Sequence, residues 1–333
     1  MKAKTTAKTA TGAGFDDRTF EDALKVARMY YHLDLTTADI GQQLGVARPT
    51  VSRLLSWARA HGLVEFRVLD HRQRQLRLES RLEHAHGIAE VKVVPAHPDT
   101  TVDERQDLVT RFAAHYLNGL LGPGMTVSIA WGATVSRLAQ RLIPKPLTGV
   151  DVVQLNGSGN SGQGITYAAD IIAAFAENFH ARSHLLPVPA YFDDPRTKEA
   201  MFRERAISRV RELADRADVA LFSIGVPDAD SYIYRAGYVE RGDLAALQRQ
   251  GAVGDIATVF FRSDGSYLDL AMNERSSGPD LAALGARRAS VCIVAGEKKA
   301  DAVRAALAGR FMNTLIIDEP TAQLLLPDAA DGA

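Results

Sequence analysis

The chain lacks the features that mark several protein classes. Cys292 is the only cysteine in 333 residues, which excludes an internal disulfide framework and a cysteine-rich zinc site. It lies in the apolar run Ser290–Ala295, where burial is expected rather than reactivity. No apolar run approaches the roughly 20 residues that span a bilayer. The polar start Met1-Lys2-Ala3-Lys4-Thr5-Thr6 lacks the apolar core of a signal peptide, so a cytoplasmic location without membrane attachment is expected. The histidines show no ligand spacing, and neither a metal site nor a cofactor is predicted. A dinucleotide fold is also unsupported. Gly157, Gly159 and Gly162 match G-x-G-x-x-G in form, but residues 184–190, where the partner acid should fall, hold no carboxylate.

An excess of charge is missing too, since the formal net charge is −1. Its distribution is uneven. Between Gly45 and Gln75 six arginines (48, 53, 59, 67, 72 and 74) stand against Glu65 and Asp70, a local basic patch suited to nucleic-acid backbone. The patch surrounds the most informative stretch, Leu35–Leu55. Thr36 reads as a helix N-cap with Asp39 three residues on, and Ile40 and Leu44 share a face. Gly45 stands where the helix must stop, and Pro49 fits the first turn of the next one. Val51, Leu54, Leu55 and Ala58 form a buried stripe. Gln42, Arg48, Pro49, Thr50, Ser52 and Arg53 are left as candidates to contact phosphates and base edges in a major groove.

Around this motif, residues 1–17 read as a disordered tail and residues 18–70 as a helix-turn-helix domain. A helix over Thr19–Leu33 completes a three-helix core, with Phe20, Leu24, Ala27, Met29, Tyr30 and Tyr31 in its amphipathic pattern. Leu63–Leu69 alternates as a short strand or wing would, with Arg67 placed to reach a phosphate or to stay in solvent. Residues 71–88 read as a charged linker helix whose Leu78, Leu82 and Ala85 stripe hints at self-association. From residue 89 to 328 apolar strands alternate with helices: 91–95, 126–131, 151–155, 185–188, 219–224, 291–294 and 314–318. That pattern predicts an α/β fold with a large, mostly parallel sheet covered on both faces.

In such sheets ligands sit beyond the carboxyl ends of the strands. Three donor-rich turns fall there: Trp131–Thr134, Asn156–Gly162 and Gly296–Lys299. Turns of this kind cradle phosphate or another anion. Asp255, between a turn and an apolar strand, is a candidate for sugar hydroxyls or for proton transfer; a capping role is equally compatible. Arg235 and Arg275 stand in polar loops, and Asp318 and Glu319 end the last strand.

With these residues assembled, the chain resembles the SorC family of bacterial transcriptional regulators, within the DeoR-like sugar-responsive group. The resemblance covers about residues 20 to 326. It is carried by LTTADIGQQLGVARPTVSRLLSWARAHGLVEF, GAVGDIATVFF, VAGEKKADAV and NTLIIDEPTAQLLL. It implies an effector domain similar to sugar-phosphate isomerases that binds phosphosugars or related polyols without turnover. Carried over by position, Thr134 and the Gly157-Ser158 turn match phosphate loops. Arg235 matches a phosphate- or hydroxyl-binding arginine, Asp255 a carboxylate facing the sugar, and Lys299 the lysine opening the late helix. The turn Gly296-Glu297 departs from the Gly-Gly pattern and is one residue shorter, which leaves Lys298 as the alternative equivalent. Ala168-Ala169 lacks the polar residue of some relatives.

The expectation is a regulator, not an enzyme, with no catalytic residues. It would be a dimer or tetramer on palindromic double-stranded operator DNA, controlled by a small molecule such as a sugar phosphate. The rival is a sugar-phosphate isomerase or deaminase carrying a DNA-binding appendage.

Overall fold

A computed structural model describes residues 17–31, 33, 35–64, 71–97, 99–158, 167–229, 231–235 and 237–326. The tail before residue 17, most of the wing with Arg67, and residues 159–162 of the second donor-rich turn lie outside the described residues. The chain divides into two compact units, Met1–Asp70 and His71–Ala333.

The first unit holds three helices, α1 (Asp17–Tyr31), α2 (Thr37–Leu44) and α3 (Arg48–Ala60). Local chemistry sets their ends. The Asp39 N–H donates to Thr36 Oγ1 and the Thr36 N–H donates to Asp39 Oδ2, each at 3.2 Å, completing a capping box. Gly45 closes α2 at φ 66°, in the left-handed region where glycine carries no steric penalty. Pro49 sits in the first turn of α3, as its missing N–H allows. Val51, Leu55 and Ala58 meet Ile40 and the α1 residues Ala23, Val26 and Ala27 in one core. The inward face of α1 is thus built on Ala23, Val26 and Ala27 together with Met29. Phe20 and Tyr30 stay at the surface, while Leu24 and Tyr31 are half-buried.

The second unit opens with α4 (His71–His86), β1 (Glu90–Val94), α5 (Val102–Leu120) and β2 (Thr126–Ile129). Next come α6 (Ala133–Ala139), β3 (Asp151–Gln154), α7 (Tyr167–Phe179) and β4 (Arg182–His184). The remaining strands are β5 (Val219–Phe222), β6 (Ile224–Gly225), β7 (Ala252–Ile256), β8 (Val259–Arg262), β9 (Ala289–Val294) and β10 (Thr314–Asp318). Seven strands form a parallel sheet in the order β1-β10-β9-β5-β2-β3-β4. Its central strands β5 and β9 are buried throughout, as their apolar sequences, interrupted only by Ser290, require. Cys292 lies inside β9, fully buried.

Three readings of the sequence change. Of the stripe on α4, Leu78 and Leu82 are buried in the core of the sheet, while Ala85 is exposed. The same helix saturates the outer edge of β1: the N–H groups of Val93 and Val91 donate to Glu79 Oε1 (2.8 Å) and Glu83 Oε1 (3.0 Å). The strand expected at 185–188 lies three residues earlier, and Leu186 and Val188 instead pack with Phe192 and Ile207 in a separate cluster. Asp255 stands inside β7, the middle strand of a three-stranded antiparallel sheet, β6-β7-β8, beside the main one.

Candidate ligand cavity and nucleic-acid interface

Strand order reverses between β2 and β5, since the chain winds outward one way through β3 and β4 and the other way through β9 and β10. Ligand sites in open α/β sheets form at such a point, beyond the carboxyl ends of the strands. A cavity of about 650 Å³ opens there. Residues following β2, β3, β5 and β9 line it, together with β7 and the helix Tyr232–Arg235.

Four of the six residues expected to bind an effector meet in this cavity: Thr134, Arg235, Asp255 and Lys299. Lys298 lines it as well. Thr134 is buried at the start of α6, and its hydroxyl accepts a hydrogen bond from Gln106 Nε2 at 2.8 Å. Asp255 is buried, and that burial pushes its carboxyl up to about 6 against the pull of Lys299 and a hydrogen bond from the Thr258 backbone. Burial likewise lowers the Lys299 ammonium, which Cys292, Asp255, Asp228 and Asp318 act to hold charged. Asp255 and Lys299 thus line one cavity, and burial disfavours the charged form of each.

Gly157 and Ser158 do not line it. Gly157 is a packing residue: a Cβ there would lie 2.4 Å from the Val188 carbonyl oxygen, and Trp131 Nε1 donates to the Gly157 carbonyl at 2.8 Å. The Ser158 hydroxyl accepts from Gln154 Nε2.

Other polar residues on the wall escaped the sequence reading. Gln106 looks like an ordinary helix-surface glutamine, Ser223 and Asp228 belong to no motif, and Thr258 lies in GAVGDIATVFF without having been singled out. Asn156, in the second donor-rich turn, lines the wall as the sole described member of that turn to do so. Asn156 Oδ1, Ser223 Oγ and Asp228 Oδ1 are buried yet have no hydrogen-bond partner among the described residues. Buried polar atoms are nearly always paired, so three such atoms around one cavity match a ligand or solvent rich in hydrogen-bonding groups.

The turn carrying the lysines is anchored from behind. The Gly296 N–H donates to Asp318 Oδ1 (3.1 Å) and Thr321 Oγ1 (3.0 Å). Arg105 is buried between two carboxylates, with Nε 3.2 Å from Asp318 Oδ2 and its other end 2.5 Å from Glu297 Oε2. Asp318 therefore supports the site without lining it. Glu319 pairs with Arg74 of α4 at 3.3 Å, and Arg275 lies 3.8 Å from Asp243.

In the first unit, Gln42, Arg48, Pro49, Ser52 and Arg53 are exposed and Thr50 is half-buried. Arg48 Nε donates to Thr37 Oγ1 at 3.1 Å, joining the starts of α3 and α2. Arg53 reaches Thr50 Oγ1 at 3.5 Å. Helix α3 contains no acidic residue, so its N-terminal dipole and arginines act with one sign toward an anion.

Residues 70–327 match the family model described as "Putative sugar-binding domain". The deoxyribonucleoside regulator of Bacillus subtilis is 36% identical over 306 residues, spanning 92% of this chain and 97% of that one. The sorbitol operon regulator of Klebsiella pneumoniae is 30% identical over 309 residues, 91% of this chain and 96% of its own. The chain is a SorC-family transcriptional regulator. The crystal structure of full-length SorC from K. pneumoniae aligns with this regulator at a TM-score of 0.70 and 29% identity, covering 94% of this chain and all of that one. A domain of a possible sugar-binding transcriptional regulator from Arthrobacter aurescens aligns at 0.71 with 39% identity, over 76% of this chain and 97% of its own. These relatives are regulators, which favours that role over a sugar-phosphate isomerase with a DNA-binding appendage.

Proposed function

We propose that this regulator binds double-stranded operator DNA through α2 and α3, and that a sugar phosphate or related polyol in the cavity sets its operator affinity. The observation that carries the effector reading is the convergence of Asp255, Lys299, Arg235 and Thr134 on one cavity at the switch point. Carboxylate and orphaned side-chain oxygens accept from hydroxyls, and the cations and Thr134 receive an anionic end of the ligand. Arg48, Thr50, Ser52 and Arg53 with Gln42 serve as DNA contacts, and Pro49 shapes the entry of α3. Gly157 and Ser158 take a supporting place behind the site.

The regulator acts as a cytoplasmic repressor of a carbohydrate or polyol catabolic operon. Residues 18–70 serve as the DNA reader and 89–328 as the effector domain. Two or more copies place recognition helices about one DNA turn (~34 Å) apart on a palindromic site. The effector works only through its differing affinity for the DNA-competent and DNA-incompetent states.

Fluorescence anisotropy of the purified chain on its own upstream DNA, with a panel of sugars, polyols and sugar phosphates, tests this. Specific binding that one compound changes supports the reading. Affinity equal to that for random DNA, with the same salt dependence, overturns it.

A further inference from the structure

The turn that follows β9 carries an anion of its own. Glu297 stands between Gly296 and the two lysines, lines the cavity, and keeps 41% of its side chain exposed. Its Oε2 accepts a hydrogen bond from Arg105 Nη2 at 2.5 Å. Arg105 lies behind it, with 6% of its side chain exposed, and does not itself line the cavity. The Arg105 Nε stands 3.2 Å from Asp318 Oδ2, yet neither of those atoms has a hydrogen-bond partner among the described residues. A guanidinium presents its N–H donors in a fixed fork that fits carboxylate and phosphate alike. Glu297 therefore holds, on this buried cation, the place that an anionic group of a ligand would take.

The rest of the wall is balanced in charge. Among the described residues its ionisable side chains are three carboxylates, Asp228, Asp255 and Glu297, and three cations, Arg235, Lys298 and Lys299. Their formal charges cancel. A phosphate monoester brings about −1.5 to −2 at neutral pH, so one such group already leaves the occupied cavity negative. Two of the donor-rich turns also direct N–H groups into the protein. The Gly296 N–H meets Asp318 and Thr321, and the Gly157 N–H donates to Ser277 Oγ at 3.0 Å. A second phosphate would thus face a fixed carboxylate with its nearest spare cation already engaged, and like charges brought together in a partly desolvated site repel.

We propose that Glu297 is a specificity-determining residue: standing on Arg105 at the cavity wall, its carboxylate admits an effector with one anionic group and turns away an effector with two. The inference rests on the reading of this cavity as the effector site, and it narrows the ligand to a sugar or polyol monophosphate. Glu297→Gln removes the charge, keeps the length of the side chain and releases Arg105 to meet a second phosphate.

Isothermal titration calorimetry on the full-length protein tests this with two pairs of compounds that differ by one phosphate. These are fructose 6-phosphate with fructose 1,6-bisphosphate, and ribose 5-phosphate with ribose 1,5-bisphosphate. The wild type should bind the monophosphate of a pair at least about tenfold more tightly than the bisphosphate. In Glu297→Gln that preference should shrink at least about fivefold or reverse. Arg105→Lys added to Glu297→Gln keeps a positive charge beside Asp318 but lacks the fork, and should restore most of the preference. A wild type that takes the bisphosphate as tightly as the monophosphate overturns the inference and leaves the effector-site reading standing. A folded Glu297→Gln protein with the wild-type preference overturns it too. The wild-type comparison decides even where the variant does not fold. If no compound binds either protein, the sugar-phosphate reading falls and the inference falls with it.

Discussion

Gly225 and Asp255 are register partners across β6 and β7, and the Asp255 carboxylate fills the space a side chain on Gly225 would need. A Cβ added to Gly225 would lie 2.1 Å from Asp255 Oδ1. The site thus depends on a missing side chain as much as on those present. Gly225→Ala is expected to displace the carboxylate and to weaken the effector at least about tenfold, a loss on the scale of one charged hydrogen bond. Operator affinity without effector should not change. Calorimetry with the identified effector, beside anisotropy on operator DNA, reads both.

Asp255 also gives the response a pH dependence. Its carboxyl titrates near 6 in the folded chain, well above the ordinary aspartate value, because burial disfavours the charge. The folded state therefore binds the proton more tightly than the unfolded one. Stability should be highest at or below about pH 4, fall as pH rises through 6, and level off above. Effector affinity should move the other way, rising as Asp255 ionises. Asp255→Asn should remove both trends and stabilise the effector-free protein at pH 8 by up to about 3 kcal/mol. Denaturant unfolding at several pH values checks this; a wild-type stability that rises from pH 4 to 7 through this group would contradict it.

Lys299→Ala is expected to abolish the effector response while leaving operator binding intact. The companion variant Lys298→Ala separates the two lysines, since both line the cavity and only one is half-buried. Retention of the response at the same ligand concentration in Lys299→Ala would assign the role to Lys298.

Removing Arg105 should loosen the lysine turn from behind. Arg105→Met leaves Asp318 buried without its cation, and breaking such a pair costs about 3 kcal/mol or more. A lower unfolding midpoint, together with a weakened effector in the fraction that remains folded, is the expected result.

On the DNA side, Arg53→Ala should weaken operator binding and reduce the salt dependence by about one counterion if the guanidinium meets a phosphate. Loss of sequence preference at one position would instead indicate a base contact. Effector affinity measured in the absence of DNA should match the parent chain.

The parts of this molecule that were legible in the sequence are those set by near neighbours. Thr36, Asp39, Gly45 and Pro49 act within a few residues of themselves, so the ends of α2 and α3 could be read directly. The parallel strands were equally plain because burial on both faces makes them continuously apolar. Asp255 is legible as a site candidate but its strand is not, because Gly254 and Gly251 break the apolar pattern there. Gly254 in fact has no room for a side chain, with Phe261 and Ala302 atoms within 2.9 Å of where its Cβ would stand. The β6-β7 pairing joins segments far apart in the chain and leaves no local signature. Arg105 and Gln106 look like solvent-facing helix residues; only the fold turns one toward Asp318 and the other toward Thr134. The stripe on α4 was visible, but nothing nearby told an intrachain partner from another copy.

The hydrogen bonds from α4 to β1 reach beyond this one strand. An outer strand with bare N–H groups is a template on which any extended chain, including a partly unfolded copy, can add itself. Glu79 and Glu83 occupy those groups at one margin of the sheet, and β4 at the opposite margin is only three residues long. Growth by strand addition is thereby discouraged on both sides. The fold thus carries its own protection against polymerising through its sheet.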